Sequence, residues 1–225
     1  MSRPRSAPLR RSALAALAAL AALTLTAGAR AQDRPLSATL RSADAKIDWT
    51  NLRRDERLRV LRRWSRAPRP FDDLVARIAD RLAIRRSSSA ELAQGNHTDQ
   101  EIGGVGAAWE VNLSAQVLDH AGKLDAHITL HELGHVIDGA LIDDAARARI
   151  FIVLARSPAW QPCWPMPLGS SSRCVRAPEI FADEFAFWAT GRRGVRSSYN
   201  VPPLLHRAQF GRLMQGVATG HLGDA

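Results

Sequence analysis

The stretch Thr129–Asp138, "TLHELGHVID", sets a histidine on each side of a glutamate, and its reading decides the fold. Each helical residue turns ~100°, so His131 and His135 lie ~40° apart on one stripe, where both imidazoles reach one metal ion. Glu132 falls roughly 100° round from His131, beside such an ion instead of on it, where a general base belongs. Leu130, Leu133 and Ile137 gather on the opposite side and are expected to face the core. Gly134 leaves room for a close neighbour, although glycine in mid-helix costs about 1 kcal/mol.

A catalytic zinc needs a third protein ligand and an open fourth position. An extended motif would carry a third histidine at position 141, but that residue is Leu141, which excludes the metzincin pattern. The better source is "PEIFADEF", Pro178–Phe185. Glu179 and Asp183 are four apart and share a helix face with Ala186, while Phe181, Phe185 and Trp188 cluster on the far side as an anchor. Glu179 would ligate, and Asp183 would accept an N–H from a ligand imidazole and fix its tautomer. Glu184 is the rival ligand, ~140° round and without a carboxylate one turn on. His127 shares the histidine face, yet three histidines at spacings of four wind away from one ion, so it is expected at the pocket rim. Asp138 lies on the same stripe, either against the pocket wall or on a polar face. His97, His120 and His221 have no partner pattern and are expected in solvent.

HExxH followed after some tens of residues by ExxxD resembles the gluzincin metallopeptidases. The fuller text, "HELGHVID" with "PEIFADEFAFW" 44 residues on, is similar to the catalytic domain of the anthrax lethal factor family. The resemblance spans residues 131–200 and leaves the N-terminal half unmatched, so the large recruiting modules of that toxin are not implied. It implies an α+β zincin fold: a small mixed sheet, an active-site helix carrying HExxH, and a second helix carrying the third ligand. It also implies one catalytic Zn2+ held by His131, His135 and Glu179, with Glu132 as base. One departure stands out. The lethal factor tyrosine that stabilises the oxyanion lies upstream of the third ligand, and this chain has no tyrosine there. Tyr199, the only tyrosine, would serve from downstream, or His206 would.

The remaining residues bound the setting. "MSRPRSAPLRR" carries four arginines and no acid, an uncharged Ala-rich run follows, and "ARA" precedes Gln32. This reads as a secretory signal, residues 1–31, cut after Ala31, by general secretion or by the twin-arginine route. Removing it leaves 26 basic and 22 acidic residues, a net charge of +4 instead of the full chain's +9. So small a surplus, with no basic–aromatic interleaving, argues against a nucleic-acid partner. Nothing after residue 31 is apolar for long enough to span a bilayer, so no stable membrane insertion is expected once the signal is removed. Cys163 and Cys174, in an exported chain, read as a disulfide whose loop stabilises by ~3 kcal/mol.

Residues 32–50 look like a polar lead-in or short pro-segment, and 51–225 like the catalytic domain. "RDERLRVLRRW" and "PFDDLVARIADRLAIRR" space their apolar residues as amphipathic helices do. "SSSAELAQGNHTDQ" reads as a loop. "WEVNLSAQV", residues 109–117, alternates strictly and predicts a half-buried strand, antiparallel or at a sheet edge. A helix capped by Asp125 carries the opening motif, and "DDAARARIFIVLARS" predicts another, capped by Asp143 or Asp144. Pro178 and Gly191 bracket a helix, and "PLLHRAQFGRLM" closes the chain with a last one.

These readings converge on an exported, secreted or periplasmic endopeptidase that hydrolyses peptide bonds through a zinc-bound water with Glu132 as general base. Its partner is a peptide or protein substrate, which could pair in extended form with an edge at 109–117. The alternative is a catalytically silent zincin-fold binding protein of the cell envelope that retains zinc.

Overall fold

Burial decides which of these segments become helices and which become strands. The computed structural model describes residues 35–88, 93–101, 107–119, 123–154, 176–191 and 205–221. They belong to a compact unit, Arg34–Ala225. It is a mixed α+β arrangement, mostly helical: α1 Ala38–Asp44, α2 Arg54–Trp64, α3 Phe71–Ile78, β1 Leu82–Ser87, β2 Ala93–Glu101, β3 Ala107–Ser114, α4 Ala115–Asp119, α5 Lys123–Leu141, α6 Asp144–Leu154, α7 Arg176–Thr190 and α8 Arg207–Thr219. None of the described helices is long and apolar enough to cross a membrane.

The sheet has the order β1-β3-β2, with β1 parallel and β2 antiparallel to β3. Three expectations change here. "LAIRRS" is a strand instead of the end of a helix: Leu82, Ala83 and Ile84 are all buried, on both faces of the chain, which a one-sided helix does not allow. From residue 93 on, the expected loop 87–100 is β2, drawn into the sheet by its ladder with β3. The alternating strand is central, so 109–117 offers no free edge. Its polar face is satisfied within the sheet, where Arg85 pairs with Glu110 at 2.9 Å and Asn112 donates to Glu110 at 2.6 Å. That strand also stops early. The Ser114 hydroxyl accepts the Val117 N–H at 3.4 Å, an N-cap contact that turns residues 115–117 into α4.

The polar lead-in is likewise corrected from Leu36 onward. Ser37 caps α1 by accepting the Leu40 N–H at 3.0 Å, and Leu40, Ala43 and Ile47 are buried in the core. Asp48 then exchanges backbone hydrogen bonds with β1, donating to Leu82 at 3.0 Å and accepting from Ile84 at 2.8 Å. In the first turn of helix α2, the Glu56 carboxylate accepts the Arg53 N–H at 2.8 Å. Glu56 is fully buried, and the guanidinium groups of Arg53 and Arg86 offset the cost of desolvating it.

A run of aromatic rings joins the helices: Trp49, Trp64, Phe71 and Phe185 follow one another with centroids 5.8, 6.1 and 6.0 Å apart. Phe185 in turn stands 6.4 Å from Phe181 and 5.4 Å from Trp188, so the apolar face of α7 is the anchor its sequence predicts. Leu130, Leu133 and Ile137 of α5 are buried as expected. Other helix ends shift slightly. Asp125 sits inside the first turn of α5, with its carbonyl bonded to the Thr129 hydroxyl at 2.8 Å. Asp143 does cap α6, through the Ala146 N–H at 2.7 Å. Pro178 is the third residue of α7, where its missing N–H is still unneeded, and Gly191 ends that helix at φ 65°. Helix α8 begins only at Arg207.

Candidate metal centre

Two helices build the site, and one glycine sets their separation. A Cβ on Gly134 of α5 would stand 2.9 Å from the Cα of Ala182 in α7, so only a hydrogen permits this approach. Around the crossing, the stripes predicted from sequence face each other. The His131 Nε2 lies 3.0 Å from Glu179 Oε2 and 3.2 Å from the His135 Nε2. His135 Nε2 is 3.5 Å from the other oxygen of Glu179. One atom from each of these three residues falls within 4.8 Å of the others, and each residue is only partly buried, which leaves an approach from solvent.

Behind them sits Asp183, where the sequence places a tautomer-fixing carboxylate. Its Oδ1 is 2.9 Å from His131 Nδ1 and 3.1 Å from His127 Nε2. An N–H on Nδ1 of His131 leaves the Nε2 lone pair facing Glu179 and His135. His127, His131 and Asp183 are also close enough to hold a cation. Here, however, one carboxylate oxygen lies at hydrogen-bond distance from both nitrogens, and two of the three groups are buried. The half-exposed set of His131, His135 and Glu179 is therefore the better centre.

The electrostatics describe a place made for positive charge. Burial alone would push the His131 imidazole down. Hydrogen bonds to Asp183 and Glu179, with the charges of Glu132 and Asp183, instead raise it to about 10. Burial likewise favours a neutral Glu179, but the hydrogen bonds from His131 and His135 hold it down at about 2. Asp183 is lowered in the same way by His127 and His131 against the effect of its burial. Two imidazole nitrogens and a carboxylate oxygen are a donor set that zinc accepts, and the fourth position is left open.

The other named residues separate cleanly. Glu132 is half-buried on α5 next to His131 and close enough for its charge to act on that ring. Glu184 is turned elsewhere: it is buried and accepts the Leu205 N–H at 3.4 Å. Asp138 binds Arg147 at 3.2 Å and so ties α5 to α6. His206 is exposed at the N-cap of α8, and His221 is exposed beyond its end. His97 pairs through its backbone with Trp109 in the ladder. Tyr199, His120, Cys163 and Cys174 lie outside the described residues. His127, expected from sequence at the pocket rim, is instead buried against Phe187 with ring centroids 4.8 Å apart. Its position four before His131 placed it on the right face, and the bond to Asp183 is what that spacing did not disclose.

Comparison with protein-family models, curated proteins and solved structures finds no match to this chain.

Proposed function

We propose that this chain is an exported zinc-dependent endopeptidase with a zincin-like, gluzincin-type centre. The observation that carries the reading is the meeting of His131, His135 and Glu179 across α5 and α7, with Asp183 on the remote nitrogen of His131. A zinc ion held by His131, His135 and Glu179 would supply Lewis acidity, polarising a carbonyl and lowering the pKa of water towards ~7. Glu132 supplies the proton traffic: its carboxylate takes a proton from the attacking water and delivers it to the departing amine. Tyr199 is the proposed donor to the developing oxyanion. A substrate peptide would add to β2, because β3 is enclosed by both its neighbours and Asp48 occupies part of the outer edge of β1.

The test is cleavage of a broad peptide library by zinc-loaded protein beside its Glu132→Gln variant. Cleavage by the parent is expected, with a loss of at least about a hundredfold in the variant while both retain zinc. Zinc in both but cleavage by neither would favour the silent binding scaffold, and no zinc in the parent would overturn both.

A further inference from the structure

Of the described cluster, His127 is the member to which ligation, proton transfer and direct contact with a candidate ligand give no role. It is 4% exposed, and its Nε2 lies 3.1 Å from the same Asp183 oxygen that His131 Nδ1 approaches at 2.9 Å. A carboxylate oxygen only accepts, so both ring nitrogens must donate to it. The other nitrogen of His127, Nδ1, is buried with no hydrogen-bond partner among the described residues. An N–H there would be a buried donor with no acceptor among the described residues, so the proton shared with Asp183 belongs on Nε2. Packing against Phe187 leaves the imidazole little freedom to swing away.

We infer that His127 is a positioning residue: its Nε2–H pins the Asp183 carboxylate, and Asp183 thereby holds His131 in the Nδ1–H tautomer with Nε2 turned to the metal. This rests on the proposed metal centre. Without the donor from His127, Asp183 could rotate or take the proton of His131, and the ligand nitrogen would lose its direction. Outer hydrogen bonds of this kind tune metal affinity without touching the metal.

Two substitutions separate the hydrogen bond from the bulk of the ring. His127→Phe keeps an aromatic ring against Phe187 and removes the donor, whereas His127→Gln returns an N–H near the Nε2 position. Zinc affinity, read by competition with a chromophoric chelator, is expected to fall roughly tenfold in the Phe variant and to recover in the Gln variant. Unchanged affinity in the Phe variant, or an equal loss in both, would overturn the inference. A nitrogen-15 spectrum of the zinc-loaded parent needs no variant to fold. It should show His127 as the Nε2–H and His131 as the Nδ1–H tautomer, and the opposite tautomer at His127 would also overturn it. Failure of the parent to bind zinc would be a different result, striking the metal centre itself.

Discussion

In protein stripped of metal by a chelator, Glu179 and Asp183 keep a proton on His131 that an isolated imidazole would lose at 6.5. The folded value is raised to about 10, so this stabilisation is complete below 6.5 and is lost as the pH climbs through about 10. Glu179 moves the other way: its contribution is complete above 4.5 and is lost as the pH falls through about 2. Both act together between pH 4.5 and 6.5. The melting temperature of chelated protein should therefore decline from pH 6.5 up to about 10, and saturating zinc should offset the decline, because the cation replaces the proton and binds more tightly as protons thin out. A flat profile without metal would show that the two carboxylates do not hold His131 as described. Asp183→Asn keeps the shape of the residue but removes its charge. Zinc affinity should drop roughly 10–100-fold by chelator competition, and an unchanged value would remove Asp183 from the site.

At the scale of the element, the crossing of α5 and α7 depends on the missing side chain at Gly134. Alanine there would gain about 1 kcal/mol of helix propensity. It would also drive a methyl group to within 2.9 Å of the Ala182 backbone, which cannot swing aside. Forcing extra volume into a packed contact costs typically 1–3 kcal/mol, so Gly134→Ala should be destabilising in urea unfolding and should weaken zinc binding. Stabilisation instead would mean that the helices part more easily than their contact implies. Both of these helices were legible in the sequence, since their apolar stripes, their polar stripes and Gly191 agree on one answer. The meeting of His131, His135, Glu179 and Asp183 was legible for the same reason: i,i+4 spacing puts each pair on one helix face whatever the rest of the fold does. Strands β1 and β2 were not legible. "RLAIRR" is buried on two sides by parts of the chain distant in sequence, and the polar text of β2 has no alternation to read. His127 was named but misplaced at the rim, because a spacing argument about one ion says nothing of a buried ring bonded to another residue.

At the scale of the whole molecule, residues 36–50 contribute Leu40, Ala43 and Ile47 to the core, with Leu36 and Trp49 packed against it. Leu40 is wholly buried, and Asp48 is bonded to β1 through its backbone. A chain beginning at residue 51 should lose the cooperative thermal transition that one beginning at residue 34 retains, as followed by circular dichroism. Sharp melting of the shorter chain would return this segment to the role of a pro-segment. The sheet carries a further consequence, for the order in which the fold assembles. β3 is the last of the described strands, yet it takes the middle place, so β1, complete at Ser87, lacks its described strand partner until Trp109 and its successors exist. Asp48 guards the other side of β1 in the meantime. A chain emerging from its N-terminal end therefore presents Leu82, Ala83 and Ile84 beside one bare edge throughout that interval, which is the condition under which strands find wrong partners. The timing of chain emergence thus bears on yield as directly as the stability of the finished fold.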